Sequence, residues 1–307
     1  MTAPMFDTVA LVGIGLIGGS IARGIREHGL ARRIVCVDAS AQHCAEALEL
    51  GLVDEAMTEP GTVLTEAGLV ILAIPLGAMR AAGEALAPFL KPGTIVSDTG
   101  SSKQSVIDHL GPLLPAGVHL VPAHPVAGTE NSGPKAGFAS LFRNRWCIIT
   151  PAPGSDPAAI ERLSAFWRVL GSKVEIMDAH RHDLVLAITS HVPHLIAYNI
   201  VGTADDLETV THNDVIRFSA GGFRDFTRIA ASDPVMWRDV FLNNRTAVLE
   251  MLGRFTEDLF ALQRAIRWSD GQALQDLFTR TRAIRREIID AGQETAAPDF
   301  GRTPTKN

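Results

Sequence analysis

Two groups of residues in this 307-residue chain have types and spacings that suit chemistry, and the first is a glycine turn. Gly13-Ile14-Gly15-Leu16-Ile17-Gly18 follows a β-branched run and opens a pattern in which Ile17, Ile21 and Ile25 recur every fourth residue. In that setting Gly13 permits a tight turn, Gly15 lets the backbone approach a pyrophosphate, and Gly18 lets helix and strand pack closely. The helix N-terminus then faces the anion. Asp38 ends the next strand, where a carboxylate binds both ribose hydroxyls of NAD and repels the 2′-phosphate of NADP. Ile74 and Pro75 sit at a third strand end, beside the cofactor in such a topology, although a proline that merely stops a strand explains Pro75 equally well. The candidate cofactor set is therefore Gly13, Gly15, Leu16, Ile17, Gly18, Asp38, Ile74 and Pro75.

The second group carries reactive side chains. In Asp98-Thr99-Gly100-Ser101-Ser102-Lys103, Ser101 with Gln104 fits a capping box, a structural reading that stands beside a role in a pocket. His124-Pro125-Val126-Ala127-Gly128-Thr129-Glu130 places an imidazole and a carboxylate in a loop after a strand. A histidine there suits removal of a hydroxyl proton, its ordinary pKa being about 6.5. Ser190-His191-Val192-Pro193-His194 sets two imidazoles on one helix face, with His191 read as packing against Leu184, Ala187 and Leu195, and His194 as the pocket candidate. His180 and His182 raise the thought of a metal, but no HExxH spacing or suitably offset carboxylate accompanies them, so none is expected. Arg224 and Arg228 flank Asp225 in a segment from Gly221 to Ile229. Such arginines are ordinarily solvated or ion-paired, yet the guanidinium fork also suits a small carboxylate substrate.

The elements that must hold these residues divide the chain. Short β-branched runs at 8–12, 33–37, 69–74, 94–97, 119–122, 146–150 and 173–177 alternate with helical patterns, which predicts a Rossmann-type, mostly parallel sheet over residues 1–176. From 177 to 293 strands vanish and long helical stripes take over. One starts at Asp233-Pro234 and runs from Trp237 through Val248 and Phe255 to Ile266; a second runs from Leu274 to Ile288. That is more apolar surface than a lone domain of this size covers, so a homodimer through an all-α domain is expected, followed by a polar tail over 294–307.

Composition narrows the function. With net charge −6 and no basic half, nucleic-acid binding is not expected, and 46% apolar residues supply sizeable cores. Cys36, Cys44 and Cys147 lack CxxC spacing and read as reduced packing residues. No unbroken apolar run approaches the roughly 18–20 residues that span a bilayer. Val9 to Ala22 lacks a preceding basic segment and is interrupted by glycines, so neither membrane attachment nor export is expected and the location is read as cytoplasmic.

Taken in order, GIGLIGGS (13–20), DTGSSK (98–103), HPVAGTENSG (124–133), SHVPH (190–194) and FRDFTRIAASDPVMWR (223–238) resemble the prephenate/arogenate (cyclohexadienyl) dehydrogenase family of tyrosine biosynthesis over nearly the whole chain. The resemblance implies an NAD-binding domain, a helical dimerisation domain and a small-molecule substrate, prephenate or arogenate, which the sequence does not separate. It also implies roles: His124 takes the ring hydroxyl proton, Ser101 positions substrate and nicotinamide, His194 supports the pocket, Arg228 binds a carboxylate, and Thr129, Glu130 and Trp237 line the pocket. Ser219-Ala220 before Gly221-Gly222 departs from the longer glycine run of some relatives. Two other readings compete: a two-domain NAD-dependent 3-hydroxy acid dehydrogenase, which would rely on a catalytic lysine, and a catalytically silent nucleotide-sensing module. The second accounts for the glycine turn but not for His124, His194 and Arg228 together.

Overall fold

The computed structural model describes residues 3–129, 131–211 and 218–290. Strands β1 (Phe6–Val12), β2 (Ala31–Val37), β3 (Glu55–Met57), β4 (Leu69–Leu72), β5 (Ile95–Asp98) and β6 (His119–Leu120) form a parallel sheet in the order β3-β2-β1-β4-β5-β6. Their near-continuous apolar runs reflect burial on both faces. Val9 and Leu11, Ile34 and Cys36, and Leu69 and Ile71 point into one core. Their neighbours Ala10 and Val12, Val35 and Val37, and Val70 and Leu72 point into the other, as the two-residue period of a strand requires.

Helices cover each face. Ile21 and Ile25 of α1 (Leu16–His28) join the first core, as do Leu163, Phe166 and Trp167 of a later helix, Pro157–Val169. Between them in the chain lie α2 (Ala41–Glu49), α3 (Met79–Leu86) and α4 (Gln104–Leu110), which makes the Pro157–Val169 helix α5. Met79 and Leu86 of α3 and Val106 and Leu110 of α4 fill the second core. Strand order reverses between β1 and β4, and beyond the carboxyl ends of such a pair lies the crevice where open α/β sheets take their ligands.

Three strands stand apart from that sheet. β7 (Ala123–Pro125) runs antiparallel to β8 (Trp146–Ile149), which pairs in parallel with β9 (Lys173–Ile176). The expectation of one sheet thus holds for five of the seven runs, joined by β3, which the β-branched pattern does not mark, while the runs at 146–150 and 173–177 build a second sheet, and His124 lies in a strand rather than a loop. Pro125 concealed that strand from the sequence: proline donates nothing to a ladder, and it is tolerated here because β7 is an edge.

The helical part begins with α6 (Ala179–Leu186), a π-turn (Ala187–His191) and α7 (Val192–Thr211). The widened turn falls just before Pro193, whose missing N–H breaks the regular ladder. After α8 (Gly221–Thr227), the long stripe that begins at Asp233-Pro234 is divided into α9 (Pro234–Asn243) and α10 (Arg245–Arg267), and α11 (Gly271–Ile288) follows. Asn244 makes the division: its buried amide donates to the Asp183 carbonyl at 2.9 Å and meets His191 Nδ1 at 3.1 Å. Trp237 and Val240 of α9 pack into the second core of the parallel sheet. The chain resolves into two compact units that divide between Met251 and Leu252.

The run Ala179–Leu207 is long and apolar enough to cross a membrane by length and composition alone. A search for unbroken apolar runs misses it because histidine, serine, threonine and asparagine punctuate it. Its His182, Asp183 and His191 are buried and hydrogen-bonded within the protein.

Candidate active site

The glycine turn has the shape a pyrophosphate needs. Gly13 takes φ +90°, where an added Cβ would lie 2.4 Å from the Ala73 carbonyl oxygen, and one on Gly18 would lie 2.1 Å from the Gly13 carbonyl oxygen. Both positions are therefore closed to side chains. At Gly15, by contrast, a Cβ would meet nothing within 4 Å, so the turn is open on the side a ligand would occupy. Gly15 caps α1 without a side-chain bond, which leaves the first helical N–H groups, beginning with Leu16 and Ile17, for an anion.

Asp38 follows β2, and its carboxylate accepts from Ile14 N at 2.8 Å and Ser40 N at 2.9 Å, so its position is fixed against the turn. Ile74 crowds Gly13, and Pro75 is exposed just after β4. An open glycine cradle beside an anchored carboxylate fits the diphosphate and ribose of NAD.

The candidate histidine sits deeper than a loop reading implies. His124 is 8% exposed, and its Nδ1 lies 2.9 Å from His182 Nε2; His182 Nδ1 in turn lies 2.8 Å from Asp183 Oδ1. Asp183 also accepts from Lys103 N at 2.7 Å, Gln104 N at 3.0 Å and Ser102 Oγ at 3.3 Å. Burial pushes the Asp183 carboxyl pKa up, but the His182 and backbone bonds outweigh it and hold it below its ordinary value. Asp183 is thus an ionised acceptor that caps α4 from 80 residues away. The capping box expected of Ser101 and Gln104 is absent: α4 has no cap from its own segment, and Gln104 donates to Asp108 instead.

Beneath this chain lies a fully buried ion pair. Lys103 Nζ donates to Asp98 and to the Ala123 carbonyl at 2.8 Å, and Asp98 accepts from Gly100 N at 2.7 Å and Ala123 N at 3.2 Å. Both partners therefore grip the residue before His124. Burial above all drives the His124 pKa well below 6.5, with His182, Lys103 and His191 pushing the same way, so the imidazole is neutral at ordinary pH.

His194 is half-buried and stacks on Trp237, ring centroids 3.6 Å apart. Its Nδ1 donates to the Ser190 carbonyl at 2.8 Å, which turns Nε2 outward as an acceptor. Burial, and after it the charge of Arg228, lower its pKa, which places Arg228 within electrostatic reach. His191 is fully buried, edge-on to Trp237 and 3.1 Å from the Asn244 amide. Ser101 is half-buried beside Ser102, and Thr129 Oγ1 accepts from Asn131 N at 3.2 Å; Glu130 lies outside the described residues.

Sequence reasoning missed His182, Asp183 and Lys103 as parts of this cluster. A His-Asp pair at a helix start reads as a solvated surface, and only the alternation of exposed His180 with buried His182 separates the two histidines.

A parallel sheet in this strand order, with a glycine cradle and an anchored carboxylate at its switch point and a buried imidazole nearby, defines a dinucleotide-binding enzyme of the Rossmann class. Residues 21–176 match the family described as prephenate dehydrogenase, nucleotide-binding domain, and residues 178–280 match prephenate dehydrogenase, dimerization domain. The chain belongs to the prephenate dehydrogenase family.

A cyclohexadienyl dehydrogenase of Zymomonas mobilis is 41% identical, covering 92% of this chain and 96% of its own. The prephenate dehydrogenase of Bacillus subtilis is 34% identical over 96% of this chain and 80% of its own. Among solved structures, prephenate dehydrogenase from Aquifex aeolicus in complex with hydroxyphenyl propionate and NAD+ superposes with a TM-score of 0.87 at 32% identity, covering 92% of this chain and 98% of that one.

Proposed function

We infer that this protein catalyses the NAD-dependent oxidative decarboxylation of prephenate, arogenate or both, in tyrosine biosynthesis. One observation carries the reading: a neutral, buried histidine stands with an NAD-shaped glycine cradle in a chain whose relatives are prephenate and cyclohexadienyl dehydrogenases. The Aquifex relative binds NAD+ together with hydroxyphenyl propionate, a phenol with a carboxylate tail.

In the substrate a ring hydroxyl sits at C4 and a carboxylate at C1. His124 Nε2 accepts the hydroxyl proton, hydride leaves C4, and the bond from C1 to its carboxylate breaks to give CO2 and an aromatic ring. NAD supplies the hydride acceptor. Ser101 orients the substrate, Arg228 holds a carboxylate, and His194, Thr129, Glu130 and Trp237 line the pocket. Aromatisation drives the step, so the protein's task is orientation and charge.

The assay is NADH formation with each substrate. Turnover of neither prephenate nor arogenate would overturn the assignment.

Residues 1–176 constitute the nucleotide-binding domain and 177–293 the substrate and dimerisation domain, a division supported by the limits of the two family matches. A second copy of this chain covers the exposed apolar residues of the latter: Ile188 and Ile200, then Leu259, Phe260 and Ile266, and Phe278 and Ile284. The protein works as a homodimer in the cytoplasm, acting on a small molecule rather than on nucleic acid or membrane. Sedimentation as a stable monomer would contradict the dimer.

Asp38 sets cofactor choice. Its carboxylate, anchored at the end of β2 by Ile14 N and Ser40 N, would repel a 2′-phosphate, and Ala39, Ser40 and Ala41 offer no arginine in compensation. NAD is expected to be favoured in kcat/KM, and Asp38→Asn to narrow the NAD/NADP ratio by about tenfold, the worth of one charge-assisted hydrogen bond. An unchanged ratio in steady-state assays with both cofactors would place Asp38 outside ribose recognition.

A further inference from the structure

The chain of contacts from His124 through His182 to Asp183 has a direction. Asp183 is held ionised and can only accept, so His182 must present Nδ1–H to it. His182 Nε2 is then the acceptor in the contact with His124, which must donate its Nδ1–H. Of the two nitrogens of His124, Nε2 alone keeps a free lone pair. The tautomer of the reacting histidine is thus fixed by a carboxylate two residues down the relay.

We propose that His182 and Asp183 are positioning residues that give His124 a proton store: as His124 Nε2 takes the substrate hydroxyl proton, the His124 Nδ1 proton shifts to His182 Nε2, where the Asp183 carboxylate neutralises the charge. This rests on the prephenate/arogenate reading. The step balances without any exchange with water. Hydride leaves C4, CO2 leaves C1, and the electrons of the broken C–C bond return to the ring oxygen, so the product phenol carries one oxygen-bound proton just as the alcohol did. The same proton set moves back along the same two bonds. A relay closed to solvent serves such a loan well, and His182 is 0% exposed.

Other charged groups nearby do not replace Asp183. His124 faces His182, Lys103 and His191; His182 faces Asp183, Lys103 and Asp98. Lys103 is paired with Asp98, and burial pushes His191 down to about 4, which keeps it neutral. Burial also lowers the His182 pKa against the pull of Asp183, so the resting pair holds no extra proton and His124 Nε2 is free.

His182→Gln separates a proton store from a mere prop. The amide oxygen of glutamine still accepts from His124 Nδ1–H and preserves the tautomer, but it holds no proton. First, the unmodified protein is assayed with prephenate and arogenate; turnover of neither would defeat the functional reading itself. Given turnover, the variant is expected to lose at least about tenfold in kcat, within the range of general-base effects. KM and NAD affinity should stay unchanged, and the proton inventory of kcat in mixed light and heavy water should fall from two transferred protons to one, because His124 must then hold the proton alone. Unchanged kcat, or a loss with the two-proton inventory retained, would overturn the store.

A second measurement requires no variant. Nitrogen-15 spectra of histidine-labelled protein at neutral pH should show His124 and His182 both protonated on Nδ1 and bare on Nε2. A proton on His124 Nε2 would refute the direction of the relay.

Discussion

Replacing His124 with asparagine is expected to lower kcat by about 10²- to 10⁴-fold, the usual contribution of a general base. Asparagine can still donate toward His182 but cannot take a proton, so the loss falls on the chemical step. NAD affinity should be retained, because the glycine turn and Asp38 make their contacts without His124. The pH profile supplies an independent check. Burial holds the His124 pKa well below 6.5, so the neutral, active form persists below the pH at which a free histidine would protonate. Activity should stay level from neutral pH downward through 6.5 and fall only as His124 gains its proton; in the variant that limb disappears. Stopped-flow NADH formation across pH, with NAD binding measured by calorimetry, tests both points, and near-normal kcat in the variant would remove His124 from the chemistry.

The second large effect is on stability. Lys103→Met leaves Asp98 in the interior without its cation, and breaking a buried pair in this way costs about 3–5 kcal/mol. For a chain of this size that corresponds to a fall in Tm on the order of 10 °C. Burial raises the Asp98 pKa, so once Lys103 is gone the folded protein binds a proton there more tightly than the unfolded chain does. The deficit should accordingly shrink as pH falls toward the carboxylate range and grow as pH rises. Adding Asp98→Asn removes the stranded charge and should restore much of the loss, because the amide keeps an acceptor for Gly100 N or Ala123 N. Because Lys103 and Asp98 grip Ala123, kcat should fall with Tm in the single variant and recover with it in the double. Calorimetric scans of the parent and the two variants decide the matter, and a single variant as stable as the parent would mean that the pair is not holding this corner of the fold.

Much of the nucleotide end was legible in the residues themselves. A glycine that must take φ +90°, a helix that starts on it and an acid at the next strand end are local properties, fixed by sterics and short-range geometry that any chain with this spacing obeys. The two-residue alternation of β1, β2 and β4 likewise follows from burial on both faces, and the caps at Asp156 and Asp233 lie beside the helices they start. The reacting end was legible only as a set of candidates. His124 and His182 are 58 residues apart, Lys103 and Asp183 are 80 apart, and Asn244 reaches back 61 to the Asp183 carbonyl. No periodicity or propensity connects such positions, because each bond forms only where the packing of α4, α6 and α9 excludes water and leaves a buried polar atom one partner to find. Residue types alone therefore marked His124 as a candidate base, whereas its burial, its tautomer and the carboxylate behind it were decided by tertiary contacts, since desolvation and long-range hydrogen bonds exist only once the chain has closed around them.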